Sequence, residues 1–186
     1  MIPMKSFTLA KGRLADALNP HERGDLARRC AETVIAAAGD MAVHVACSDP
    51  DVADWAESHG ACVIDCPEPG LDAAVRTSLE HLGRAGFDHV VVAHGDLPLA
   101  SSLAHVARPD AVTIVPDRHH DGTNVLSFPL GRGMRTAYGP GSFDNHLKIA
   151  AAAGLVAHVL DDPALALDLD TMEDLSELDR RTKEAR

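Results

Sequence analysis

Aromatic residues are scarce in this chain of 186: it has one Trp, one Tyr and four Phe. A domain of ordinary size built from it must fill its core with Ala, Val, Leu and Ile. Nowhere does an apolar run approach the ~18 residues of a membrane-spanning helix, and Met1 to Lys11 lacks the apolar stretch of a signal peptide. The expectation is a cytoplasmic globular protein with no membrane partner. Positive charge is also in short supply. Lys and Arg number 17 against 28 Asp and Glu, a formal net charge of −11, and with no basic stripe to offset it this argues against a nucleic-acid or anionic-membrane surface. Cys30, Cys47, Cys62 and Cys66 form neither a C-x-x-C pair nor a zinc-ribbon spacing and read as reduced, structural residues. No Gly-Lys dipeptide exists, hence no P-loop, and "GRGMRT" at 131–136 lacks the third glycine and the preceding turn of a dinucleotide fingerprint.

What the chain does contain is alternation. The runs 42–47, 61–65, 89–94, 111–116 and 123–128 have the β-rich composition of buried strands, while 20–38, 50–59, 71–85 and 143–153 carry helical periodicity. Strands alternating with helices imply a mostly parallel sheet covered on both faces, with ligands outside the carboxyl ends of its strands. No repeat, linker or low-complexity segment interrupts the pattern, so residues 1–186 read as one domain.

Several polar residues fall where such a sheet would bind. Asp96, in "VVVAHGDLPL", follows a buried strand, and Leu97-Pro98 turns the chain away after it. In "LALDLDTMEDL", Asp168 and Asp170 share a side of an extended segment, and Thr171 with Asp174 forms a capping pattern that opens the last helix. Carboxylates gathered from different strand ends repel one another unless a cation lies between them, and Mg²⁺ uses one or two carboxylates plus substrate phosphates. Of only four lysines, Lys5 and Lys11 fall within the first eleven residues, a hint of phosphate binding. Arg118, in "PDRHHDGTNVL", is suited to hold a carboxylate or phosphate in fork geometry, whereas the adjacent His119, His120 and Asp121 are poorly disposed to share one metal ion. "YGPGSFDNH", 138–146, reads either as a surface turn or as a loop whose glycines and Ser142 offer donors to an anion.

"IPMKSFTLAKGRL", "GDLPL", "PDRHHDGTNVL", "YGPGSFDNH" and "LALDLDT" occur in an order that resembles the 2-phospholactate guanylyltransferases of deazaflavin coenzyme F-420 biosynthesis, over nearly the whole chain. The resemblance implies an α/β, three-layer Rossmann-like nucleotidyltransferase fold with a mostly parallel mixed sheet, of the nucleotide-diphospho-sugar transferase type. It also implies GTP, Mg²⁺ and a small phosphorylated carboxylic acid (2-phospholactate, phosphoenolpyruvate or 3-phosphoglycerate), with a homodimer as a further expectation. Carried over, it assigns Lys11 and Arg13, with Lys5, to the nucleotide phosphates, Gly70 and Asp72 to the nucleoside side, and Asp96, Asp168 and Asp170 to the metal. Lys11, Arg13 and Asp96 are its catalytic candidates, and Thr123, Gly139 and Ser142 would hold the acceptor. Gly70-Leu71-Asp72 departs from the Gly-Leu-Asn of relatives, which leaves the choice of base open. A transferase with another nucleotide or acceptor, such as a sugar phosphate or molybdopterin, and a nucleotide-binding regulator without turnover are the other readings.

Overall fold

Helix starts follow local chemistry in the computed structural model, which describes residues 1–184. Helix α1 (Pro20–Ala37) opens with a reciprocal box: the Asn19 side chain accepts the Glu22 amide at 3.1 Å and the Glu22 carboxylate accepts the Asn19 amide at 2.8 Å. Asp49 caps α2 (Pro50–Ser58) by accepting the Asp51 and Val52 amides. The Thr171/Asp174 pattern does the same for the last helix, Met172–Glu184. Helices Leu71–Arg84 and Ser142–Ala152 differ, because they begin at Gly70 and Gly141 with no side-chain cap.

Strands β1 (Ile2–Pro3), β2 (His44–Cys47) and β3 (Cys62–Asp65) pair in parallel. A second ladder has the order β4 (His89–Ala93), β6 (Thr123–Pro129), β5 (Val112–Pro116), β7 (Ala157–Val159). Met1 joins the ladders: its nitrogen donates to the Val91 carbonyl at 2.8 Å and its carbonyl accepts the Ala93 amide at 3.1 Å. In this mixed sheet β6 runs against both of its neighbours. Only residues 117–122 connect β5 to β6, which suits a hairpin and is too short for the crossover a parallel pair needs.

Strand residues alternate between two cores. Val45, Ala93, Val115 and Val125 pack with Val34 of α1 and Val52 of α2, whereas Ala46, Val92, Ile114 and Leu126 pack on the other face with Val75 of α3 (Leu71–Arg84) and Ala150 of α4 (Ser142–Ala152). Helices on both faces of one sheet give the three expected layers. Helices α1 to α4 end within two residues of where periodicity placed them, α5 (Met172–Glu184) starts where the Thr171/Asp174 pattern put it, and the three-residue β7 was not foreseen. The four cysteines are free, and only Cys62 is exposed. Among the described residues no helix is long and apolar enough to cross a membrane. Residues 185–186 of the expected single domain lie outside the described residues.

Candidate active site

A cleft of about 780 Å³ opens at the carboxyl ends of the parallel strands, walled by the 3–11 segment, the end of β2 with Asp49, the 66–71 segment and the turn His94–Gly95–Asp96, with Asp170 at its margin. That volume suits a nucleotide. Gly70 and Leu71, the start of uncapped α3, lie on its wall, so that helix presents a free N-terminus, a setting that favours anions.

Lys11 organises the cleft. Its backbone is left-handed at φ 55°, ψ 39°, a conformation that costs a non-glycine residue about 1 kcal/mol or more. From there its side chain, only 6% exposed, places Nζ 2.8 Å from Asp96 Oδ2 and 3.3 Å from Asp170 Oδ1. The sequence required a cation between carboxylates, and here that cation is a lysine. Burial works against the ammonium, but Asp96 and Asp170 outweigh it and hold its pKa above the ordinary lysine value. Burial likewise opposes the charge on Asp96, yet Lys11 and then His94 keep that carboxyl below the usual range. Asp96 is therefore ionised at neutral pH.

The Leu169 amide bonds to the Asp96 carbonyl at 3.1 Å, bringing the Asp168–Asp170 segment beside the β4 turn. Asp168 accepts from Asn124 Nδ2 at 3.4 Å, and its carboxyl is pushed up by burial and by the charge of Asp96. Lys11 thus pairs with two carboxylates, and a third, Asp168, is close enough to feel the charge of Asp96 and Asp170. Asp96 Oδ1 is buried without a partner. Hard oxygen donors with excess negative charge and an orphaned carboxylate oxygen fit Mg²⁺. Among the described residues, no three His, Cys, Asp or Glu side chains converge as a ready-made cage; a Mg²⁺ that takes one or two carboxylates plus phosphates needs none. His119 and His120 do not gather either: His120 instead stacks edge-on against Phe143.

Arg118 finds its carboxylates within the chain. Its Nε and Nη2 reach Asp174 Oδ1 at 3.1 and 2.8 Å, and Nη1 reaches Glu173. Asp174 Oδ2 accepts the Asp170 and Thr171 amides at 3.0 and 2.7 Å, so this pair stiffens the segment that carries Asp168 and Asp170.

Of the expected 138–146 loop only residues 138–141 are a turn, and Ser142 to His146 begin α4; here the ring of Tyr138 stands between His94 and His146, at centroid distances of 5.5 and 4.9 Å. Asp72 turns toward this loop and accepts the Tyr138 amide at 3.0 Å. Gly141 is left-handed at φ 71° and gives its amide to Asp121 Oδ1 at 3.2 Å. Asp121 is held in turn by Asp117, whose carboxylate gathers the amides of residues 119, 121 and 122. A Cβ at Gly122 would meet Asp117 Oδ2 at 2.8 Å, so a side chain there would push this carboxylate off the amides it gathers.

Of the residues singled out in the sequence, Lys5, Lys11, Gly70, Asp96 and Asp170 line the cleft, and Arg13 is exposed on the turn just beyond it. Asp168 is tied to this group through the Asp96 loop. Thr123, Gly139 and Ser142 belong to the second cluster, where both hydroxyl residues are buried. Asp49, Glu68, His94, Asn124 and His146 are members that the sequence did not single out, and Asp121, weighed there only as a poor metal ligand, belongs to the second cluster through Gly141.

Buried His146 supplies a pH prediction. Burial pushes its imidazole down to about 4 from 6.5, so the unfolded chain binds the proton more readily than the folded one. Its contribution is complete above about pH 6.5 and is lost as pH falls toward 4, a change on the order of 3 kcal/mol. Urea unfolding at pH 7 and pH 5 should show a steeper acid loss in the wild type than in His146→Asn. Equal slopes would contradict the assignment.

A family model described as "Guanylyl transferase CofC like" matches residues 1–183. The phosphoenolpyruvate guanylyltransferase of Conexibacter woesei is 36% identical over 190 residues, covering 96% of this chain and 85% of that one. The 2-phospho-L-lactate guanylyltransferase of Methanothermobacter thermautotrophicus is 32% identical over 191 residues, covering 96% and 82%. A solved nucleotidyl transferase from the same genus superposes with a TM-score of 0.66 at 14% identity, covering 100% of this chain and 97% of that one, a likeness of fold.

Proposed function

Since the chain belongs to the guanylyl transferase CofC-like family, we propose that it transfers GMP from GTP to phosphoenolpyruvate, releasing pyrophosphate, in the biosynthesis of deazaflavin coenzyme F-420. 2-Phospholactate and 3-phosphoglycerate are the competing acceptors. The observation that carries the reading is the Lys11 ammonium held between Asp96 and Asp170 on a nucleotide-sized cleft.

The chemistry follows from charge. An acceptor phosphate, with a second pKa of about 6, is already an anion at neutral pH, so one of its oxygens attacks the α-phosphorus without a general base. A P–O bond forms to the acceptor, the bond to pyrophosphate breaks, and its electron pair leaves with pyrophosphate. Lys11, kept charged by its carboxylates, stabilises the phosphate oxygens, assisted by Lys5 and Arg13 at the rim and by the α3 N-terminus at Gly70. Asp96, Asp168 and Asp170 would hold Mg²⁺, which when bound neutralises charge on the phosphates. Thr123, Gly139 and Ser142 orient the acceptor.

Pyrophosphate release, followed with a coupled pyrophosphatase and checked by product mass, tests this across four nucleoside triphosphates, the three phosphoacids and a hexose 1-phosphate. GTP with phosphoenolpyruvate should dominate. Turnover confined to the sugar phosphate, or none at all, would overturn the proposal.

Asp72 provides a narrower prediction. Its carboxylate holds the Tyr138 amide, a role that an amide oxygen also fills. Asp72→Asn is accordingly expected to leave the GTP-to-ATP ratio of kcat/KM within about twofold, and Asp72→Ala to raise the acceptor KM several-fold through the loosened loop. A large change of nucleotide preference in Asp72→Asn would return this residue to the base.

A further inference from the structure

His146 is enclosed in α4, and its protonation is dictated by its neighbours. The Ala137 amide, which can only donate, bonds to Nε2 at 3.0 Å. Nε2 must therefore carry the lone pair, and the ring proton resides on Nδ1. Nδ1–H then donates to Thr123 Oγ1 at 2.9 Å. Burial keeps the ring neutral, so this arrangement persists at neutral pH.

The consequence falls on Thr123, which is 1% exposed. Its oxygen has accepted a hydrogen bond, and its own hydroxyl hydrogen has no acceptor in the chain among the described residues. It is not alone: Tyr138 Oη and His94 Nε2 are buried without partners, and their rings stack in series with His146 toward Asp96. A network serving stability alone would be expected to close on itself, because each unsatisfied buried group costs about 1–3 kcal/mol. Here Tyr138 Oη, His94 Nε2 and Asp96 Oδ1 are all left without partners.

We propose that His146 is a positioning residue which, by donating Nδ1–H to Thr123, turns the threonine hydroxyl hydrogen away from itself and toward the acceptor, so that this subsite favours an anionic oxygen of the acceptor. The inference rests on the acceptor-side role of Thr123 proposed above. It also explains why the polar end of "YGPGSFDNH" belongs with its glycines: Ala137 and His146 bracket the loop, and one imidazole ties it to β6.

Two isosteric substitutions divide the roles of the ring. In His146→Asn the amide nitrogen takes the place of Nδ1 and still donates to Thr123; in His146→Gln the amide oxygen takes the place of Nε2 and still accepts from Ala137, but the donor to Thr123 is lost. At saturating GTP, His146→Gln should raise the phosphoenolpyruvate KM roughly tenfold or more, the effect of a charge-assisted hydrogen bond. His146→Asn should stay within about threefold, with the GTP KM unchanged in both. Combined with Thr123→Val, which deletes the hydroxyl, His146→Gln should add nothing further to the acceptor KM. A merely structural histidine predicts the reverse, with both variants losing stability and both KM values moving together. In the unsubstituted protein, ¹⁵N NMR of the imidazole should show Nδ1 protonated and Nε2 bare, and it decides the proton's place even if neither variant folds. A proton on Nε2, or a wild-type acceptor KM in His146→Gln, overturns the inference. A wild type that uses no phosphoacid instead sinks the acceptor reading, and the two failures are told apart.

Discussion

Asp96→Asn is expected to lower kcat at saturating GTP, phosphoenolpyruvate and Mg²⁺ by roughly a thousandfold or more, the scale of losing a preorganised charge at a phosphoryl-transfer centre. Three observations converge on this carboxylate. It is ionised because Lys11 outweighs its burial, one of its oxygens has no partner, and its backbone carbonyl holds the segment bearing Asp168 and Asp170. Asparagine keeps the shape, and its oxygen still accepts from Lys11, whose remaining partner Asp170 lies at 3.3 Å. The fold should accordingly survive, at a cost of about 1–2 kcal/mol. Thermal unfolding of the variant, run beside the pyrophosphate assay, separates the two effects. Full turnover in a folded Asp96→Asn protein would remove Asp96 from the chemistry.

The layers of the fold were legible because they are written in local periodicity. Of the helix caps, Thr171 with Asp174 was read from the sequence, whereas Asn19 with Glu22 and Asp49 with Pro50 mark starts that periodicity alone had placed. Strand β7 was not legible, since its three residues, mostly exposed, carry no alternation to read. Turn chemistry and strand-end position likewise singled out Asp96, Asp168 and Asp170. The partners of these residues left no such signal. Nothing in "LAKGRL" says that Lys11, rather than Gly12, adopts the left-handed conformation and thereby aims an ammonium between two carboxylates 85 and 159 residues away. Asp72 lies 66 residues from Tyr138, and Asn124 lies 44 from Asp168. Each link depends on how the sheet edge brings separate loops together, so composition and spacing find the charged groups but not which of them neutralise one another. Asp121 shows the same limit. In the sequence it stands beside two histidines as a weak metal candidate, and in the fold it serves the amide of Gly141.

Lys11→Met should separate the two cations that this site can use. In the protein as described, the ammonium neutralises Asp96 and Asp170, so any divalent ion must share those oxygens with it. Methionine has similar length and no charge, which leaves Asp96, Asp168 and Asp170 to repel one another across a partly dry cleft. Without a metal the variant should melt earlier than the wild type, and Mg²⁺ should raise its melting temperature more, with half-saturation at lower concentration. Turnover should nevertheless fall by roughly a hundredfold or more, because a metal bound more tightly to the carboxylates does not replace a positive charge on the phosphates. Tighter Mg²⁺ binding with slower chemistry is an unusual pairing, and it discriminates. Thermal shift against MgCl₂ gives the first half without reference to activity, and pyrophosphate release gives the second. A simple structural ion pair predicts a loss of stability with kcat within a few-fold of wild type once the variant is folded. If Mg²⁺ shifts the variant no more than the wild type, the three carboxylates are not the metal's ligands.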